Sequence, residues 1–158
     1  MFQIGDKIVH PMHGAGIIES IVTKKVNGVV RDYYTLKLPE RAMLVMIPVE
    51  NCTDIGVRPI VDCDYAVKVL DDFSALQVEM TQNWNRRYRE NMDRLRSGDL
   101  MEVTRVVKGL MTRDARHGLS TGERKMLHSA KQILISEIVL STGAGYEEVE
   151  HRINAASI

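Results

Sequence analysis

Asn83-Trp84-Asn85-Arg86-Arg87-Tyr88-Arg89-Glu90-Asn91-Met92-Asp93-Arg94-Leu95-Arg96 holds the only tryptophan of the chain and five of its arginines. At 3.6 residues per turn, Trp84, Tyr88, Asn91 (or Met92) and Leu95 fall along one stripe, and Arg86, Arg89, Asp93 and Arg96 along another. Opposite charges stand four apart at Arg86 and Glu90, at Glu90 and Arg94, and at Arg89 and Asp93, each worth about 0.2–0.5 kcal/mol to a helix. Asn83 suits an N-cap, because its amide oxygen accepts a free N–H of the first turn. Gly98 suits a stop, because it takes the left-handed conformation after a last turn. The stretch is therefore a helix with Trp84 at its start, among guanidinium groups. Two readings of it are open. In one, Trp84 and Tyr88 are core residues and the arginines a solvated face. In the other, the arginines hold phosphates and Trp84 stacks on, or wedges against, a base step.

Outward from this helix the pattern stays helical on both sides. Before it, Val67, Leu70 and Phe73 mark a short helix after Asp64. After it, Asp99-Leu100-Met101-Glu102 is a capping box, and Val103, Val106, Val107, Leu110 and Met111 give an apolar face that ends at Gly118. Ser120-Thr121-Gly122-Glu123 is a second capping box. It opens a long helix with Met126, Leu127, Ala130, Ile133, Leu134 and Ile138 at helical spacing, broken at Ser141-Thr142-Gly143. Tyr146, Val149 and Ile153 give a last short helix.

The first fifty residues follow a different period. Asp6–His10 and Gly14–Val22 are short β-branched runs. Asn27-Gly28, set between Lys25-Val26 and Val29-Val30, is a strong hairpin signal. Tyr33–Leu38 follows, Pro39-Glu40-Arg41 turns the chain, and Ala42–Ile47 is a strand that stops at Pro48. The switch from period 2 to period 3.6 near residue 60 predicts an α+β chain. A small SH3/Tudor-like β-barrel over residues 1–54 precedes a linker at 55–63 and an all-α helical bundle over 64–158.

Composition hides a patch. Formal net charge is zero. Yet from Trp84 to Lys131 twelve basic residues face six acidic ones, a local +6, with acidic segments on either side. Met1-Phe2-Gln3-Ile4-Gly5-Asp6 has no positive n-region and no apolar run, and no stretch reaches the ~18 apolar residues of a membrane span, so a cytoplasmic, soluble chain is expected.

Catalytic signatures are missing. Gly14-Ala15-Gly16 lies between strands, lacks a third glycine and a following helix, and reads as a turn rather than a phosphate cradle. No HExxH, CxxC or nucleophile-elbow pattern occurs. His10, His13, Cys52 and Cys63 form a formal two-His, two-Cys set, but the cysteines are too far apart in sequence for a usual structural zinc site. No metal, cofactor or small-molecule substrate is expected, and the chain does not read as an enzyme.

Gly5-Asp6-Lys7-Ile8-Val9-His10-Pro11-Met12-His13-Gly14-Ala15-Gly16 resembles the opening of the CarD/CdnL family of bacterial transcription regulators. Transcription-repair coupling factors carry the same module. Ile47–Asn51 and Ile55–Arg58 continue the resemblance, and Asn83–Tyr88 and Gly118–Leu127 extend it into the helical half. Coupling factors share only the barrel, so the helical half selects the stand-alone regulator.

The resemblance implies that the barrel binds the β subunit of bacterial RNA polymerase, edge-strand pairing being a natural mode. Lys24, Met46 and Pro48 match the family's contact region. Some members carry Arg where this chain has Met46, so the contact there is expected to be apolar. The resemblance also makes Trp84 a wedge in the minor groove at the upstream edge of the transcription bubble. Arg86, Arg87, Arg89, Arg124 and Lys125 would hold phosphates, in agreement with the +6 segment. The implied function is stabilisation of the promoter open complex, with weak and largely sequence-nonspecific DNA binding. The alternative is a nucleic-acid- or peptide-binding module that does not act through RNA polymerase.

Overall fold

Asn27 and Gly28 both take positive φ, 52° and 80°, which matches the twist of a two-residue hairpin to that of its strands. In the computed structural model, which describes residues 1–39 and 43–156, this turn joins the two longest strands, β2 (Gly14–Val26) and β3 (Val29–Lys37). β1 (Lys7–His10) pairs with the first half of β2, and β4 (Leu44–Pro48) with the second half of β3. The turn expected at Pro39-Glu40-Arg41 and the strand start expected at Ala42 fall on residues 40–42, outside the described ones. Pro48, expected to stop β4, is its last residue. It sits on an edge strand, where a missing N–H costs no ladder bond.

A fifth strand, β5 (Arg58–Pro59), pairs with β1 and lies within the stretch expected as a linker at 55–63. Val57, beside it, is buried in the barrel core. The wholly antiparallel sheet has the order β4-β3-β2-β1-β5. It curls around one cluster of Ile8, Ile18, Tyr34, Leu36, Val45 and Ile47. Gly16 is required where β2 crosses β3, since a Cβ there would lie 2.6 Å from the Lys37 carbonyl oxygen.

The helical half begins at α1 (Cys63–Asp72), one residue earlier than expected, capped by Asp62, which accepts from Tyr65 N–H. Its buried face is Ala66, Val69 and Phe73, whereas Val67 is exposed. A 3₁₀ turn at Phe73–Ala75 leads through an extended strap to α2 (Trp84–Arg96). α3 (Leu100–His117), α4 (Thr121–Thr142) and α5 (Tyr146–Asn154) complete the bundle. Asn83, Asp99 and Ser120 cap as the sequence predicts, each accepting a first-turn N–H. All six apolar positions expected on α4 are buried. α4 lies at the centre, touching α1, α3, α5 and, through its C-terminal half, β2.

Candidate nucleic-acid interface

Trp84 opens α2, and its position follows from the starts of two helices brought side by side. Its indole N–H donates to Ser120 Oγ at 2.9 Å, so a residue that caps α4 also anchors the ring. The indole stacks on Tyr88, one turn later, with centroids 5.1 Å apart and planes 20° off parallel. Gly122 lies against the edge of this aromatic pair, because a Cβ there would stand 3.6 Å from Tyr88 and 3.7 Å from Trp84. Trp84 nevertheless stays 42% exposed, whereas Phe73 is buried and Tyr88 and Tyr146 are half-buried. It is not buried in the core, and it is held at the surface by two contacts, with Ser120 and with Tyr88.

Arg87, expected to hold a phosphate, is turned into the protein interior instead. It is 2% exposed, and the interior accounts for every arm of its guanidinium. Nε donates to Glu123 Oε2 at 2.8 Å and Nη2 to Glu123 Oε1 at 3.0 Å. Nη1 donates to the carbonyls of Thr81 at 3.1 Å and Gln82 at 2.8 Å. The reason is periodicity: Arg87, Asn91 and Leu95, four apart, form the stripe of α2 that faces the bundle. Glu123 is likewise buried, with 2% of its side chain exposed. The Arg87 guanidinium, by hydrogen bonding before charge, holds its carboxyl below the usual carboxylate range despite burial, and Arg113 and Ser120 add to the effect. Arg87 is correspondingly held above its ordinary value. Such a two-bonded pair is strong only because its remaining donors and lone pairs are also satisfied.

The other basic residues do face solvent. Arg86 is exposed and pairs with Glu90 at 3.0 Å, the spacing read from the sequence. The pairs expected between Glu90 and Arg94 and between Arg89 and Asp93 give way in part, since Arg94 reaches Glu102 on α3 at 3.5 Å instead. Arg89 is exposed on α2. Arg124 and Lys125 are exposed on the first turn of α4, Arg124 lying 3.7 Å from Asp114. Four outward cations thus lie on α2 and α4, the two helices whose N-terminal ends meet at Trp84.

Sequence reasoning took Ser120 and Glu123 as capping residues and passed over their second partners, Trp84 and Arg87. A Glu at the third position of one helix and an Arg on the inward stripe of another was the available signal.

On the barrel, register brings the three expected contact residues to one face. Val22, Tyr33 and Pro48 lie opposite one another across β2, β3 and β4. Lys24 and Met46 are each two residues from that row, so they share its face. Lys24 is exposed, Met46 is 37% exposed and Pro48 half-buried. β4 is an edge of the sheet, and Leu44 beside Met46 is exposed too.

Among the described residues no group of three or more His, Cys, Asp or Glu side chains converges on a metal-sized site. His10 and His13 stand 4.6 Å apart between ring centres, whereas Cys52 is buried and Cys63 exposed. No helix among the described residues is long and apolar enough to cross a membrane.

The fold is thus a small antiparallel β-barrel with an exposed edge strand, followed by a helical bundle with an aromatic-basic corner. Residues 2–61 match the family described as the CarD-like/TRCF RID domain, and residues 68–154 the family described as CarD, C-terminal domain. A protein of Bacillus subtilis (strain 168) named "Putative transcription factor YdeB" is 35% identical over 150 residues, spanning 95% of this chain and 98% of its own length. The chain belongs to the CarD family, a family of transcription regulators.

Proposed function

We propose that this protein binds the β subunit of bacterial RNA polymerase through the β4 edge of its barrel and stabilises the promoter open complex through Trp84. The carrying observation is the state of that tryptophan: 42% exposed, yet pinned by Ser120 and stacked on Tyr88. An aromatic held half out of the surface needs no ordering when it meets a base step, so more of its contact energy survives as binding. Arg86, Arg89, Arg124 and Lys125, exposed on the same two helices, serve as phosphate contacts, aided by the N-terminal amides of α2 and α4. Arg87 and Glu123 hold the two helix starts together beneath.

The mechanism is differential binding rather than chemistry. Phosphates are present in closed and open complexes alike, so the cations raise affinity for both. Only a ring that fills the gap at an unstacked step separates them. A difference of about 1.4 kcal/mol moves the open/closed ratio tenfold. Weak intrinsic DNA affinity suffices, because docking on polymerase supplies a high local DNA concentration. On the barrel, Lys24, Met46 and Pro48 share one face beside β4, an edge strand of the sheet among the described residues, which suits addition of a strand from the partner.

Open-complex lifetime on a bacterial promoter tests this, with purified polymerase and wild-type or Trp84→Ala protein. Wild type should prolong the complex, and the variant should lose that effect while still binding polymerase. Loss of polymerase binding together with lifetime would sink the division of labour. Failure of wild type to bind polymerase at all would leave a nucleic-acid-binding module acting by another route.

A further inference from the structure

The two halves meet at a joint that carries a dense set of directional polar contacts. Glu137, on the C-terminal half of α4, is 0% exposed. Arg58 of β5 grips it with two bonds of 2.7 Å, Nη1 to Oε2 and Nη2 to Oε1. Val61 N–H donates to the same carboxylate at 2.9 Å. Arg58 Nε also donates to the Gly98 carbonyl, in the turn between α2 and α3. One residue along α4, Ser136 Oγ accepts from Ala15 N–H at 2.9 Å. Gly14, at φ +95°, could carry no side chain here: a Cβ would stand 2.7 Å from Ser136 Oγ and 3.4 Å from the Ile133 backbone. Ser141 Oγ donates to the Val61 carbonyl at 2.8 Å, and Lys7 Nζ to that of Leu140 at 3.4 Å. Gly56 and Gly98 approach backbone to backbone, a Cβ on Gly98 falling 2.8 Å from the Gly56 carbonyl oxygen.

An apolar joint can slide, because the hydrophobic effect has no direction. A two-bonded pair between an arginine and a fully buried carboxylate cannot, because a small rotation breaks both bonds and strands the buried charge. Interfaces between domains of one chain leave the domains mobile unless something prevents it. α4 spans both ends of this arrangement. Its first turns hold Ser120 and Glu123 under the Trp84 corner, and its last turns hold Ser136 and Glu137 against the barrel.

We propose that Arg58 and Glu137 are positioning residues that lock the barrel onto α4, so that the polymerase-contact face and Trp84 are held at one fixed separation and orientation. This rests on the polymerase-and-DNA reading above. Its physical content is that a wedge tethered by a loose joint would have to be oriented at the promoter. That ordering would be subtracted from the preference for the open complex.

The test uses the full chain, with Arg58→Ala, Glu137→Gln and the double variant Arg58→Met/Glu137→Met. The double variant replaces the pair, whose carboxylate is buried, by apolar groups of similar length, a change that commonly leaves stability equal or higher while removing the directional bonds. It therefore keeps the test open if a single variant fails to fold. Spin labels at Val30→Cys and Ser129→Cys, in a Cys63→Ser background, report the separation of the halves. Both positions are solvent-exposed.

Wild type should give one narrow distance distribution, and the folded variants a broad one. Polymerase capture should be unchanged, and the gain in open-complex lifetime should fall about tenfold, the ratio that ~1.4 kcal/mol of lost preference produces. Folded variants with a wild-type distance distribution, or with a broad one and full open-complex lifetime, would overturn the proposal. If wild type itself does not prolong the open complex, the polymerase reading fails on its own, and the distance distribution still decides whether the pair is the lock.

Discussion

Glu123 and Glu137 project from the same helix, fourteen residues and about 21 Å of rise apart, and each closes a two-bonded pair with an arginine from another part of the molecule. Fourteen residues is close to four turns, so both carboxylates leave α4 on nearly the same side. Glu123 binds Arg87 and so fixes α2, which carries Trp84. Glu137 binds Arg58 and so fixes the barrel. The longest helix of the described chain thus holds both candidate surfaces by the same chemistry, applied once at each end.

The first consequence concerns stability. Arg87→Ala leaves the Glu123 carboxylate buried without its partner and frees the Thr81 and Gln82 carbonyls. Breaking such a pair on one side costs about 3–5 kcal/mol. Arg89→Ala, on the exposed face of the same helix, should stay within about 0.5 kcal/mol of wild type. Urea unfolding of the two variants checks the contrast. Equal midpoints would return Arg87 to the surface set.

Acid sensitivity follows from the same pair. Glu123 is held below its ordinary value of 4.5 in the folded state, so the unfolded chain takes the proton first as pH falls. The stability it supplies is complete above about pH 4.5 and is lost as pH drops through the lower folded value. His10 adds an earlier step. Burial first, and the neighbouring His13 second, push it from 6.5 to about 4. Between those values only the unfolded chain binds its proton, and stability falls with pH there too. In melting curves from pH 7 to 3, His10→Gln should flatten the upper decline and Glu123→Gln the lower one.

Much of this molecule was legible in its sequence. Hairpin, caps and the period switch need only local chemistry, and Asn27-Gly28, Asn83, Asp99 and Ser120 behave as their side chains dictate. What failed to show was long-range. Arg87 looked like its neighbours Arg86 and Arg89, because a helix wheel does not say which stripe a partner helix will cover. Only the placement of Glu123, far along the chain, turns that side chain inward. β5 was hidden for a related reason: two residues carry no period, and Arg58-Pro59 become a strand only because β1 offers an edge.

On the barrel, Met46 is the sharpest probe. It is 37% exposed on an edge strand, so Met46→Asp should leave the fold within about 0.5 kcal/mol of wild type. A charge set into an apolar strand-pairing contact must be desolvated on docking, so capture of polymerase should drop. Open-complex stabilisation should fall with it and recover at high protein concentration. Undiminished capture would move the docking surface elsewhere on the barrel.

The outward cations should register as counterion release. Each phosphate contact removed lowers the slope of log affinity against log salt by about 0.9 on duplex DNA. Arg89→Gln and Lys125→Gln are each expected to do so, with little change in promoter preference. Arg86→Gln and Arg124→Gln should do less, since Arg86 already pairs with Glu90 and Arg124 with Asp114. Arg87→Met, if it folds, should leave the slope untouched. Titrations on a plain duplex across a range of salt separate the two groups.

Trp84 is the only tryptophan, so its fluorescence reports its own surroundings without interference. Inserted at an unstacked step, the indole trades solvent and Ser120 for base faces, and its emission should be quenched more by a duplex with a preformed bubble than by a fully paired one of equal length. Tyr88→Ala removes the stacking support, and Ser120→Ala removes both the indole anchor and a helix cap worth about 1 kcal/mol. In both variants the ring is still present but no longer held. Phosphate-driven binding to the paired duplex should therefore persist, while the extra quenching on the bubble shrinks. Equal quenching by the two DNAs in wild type would mean that the ring does not read melted DNA, and would place the discrimination in another part of the protein.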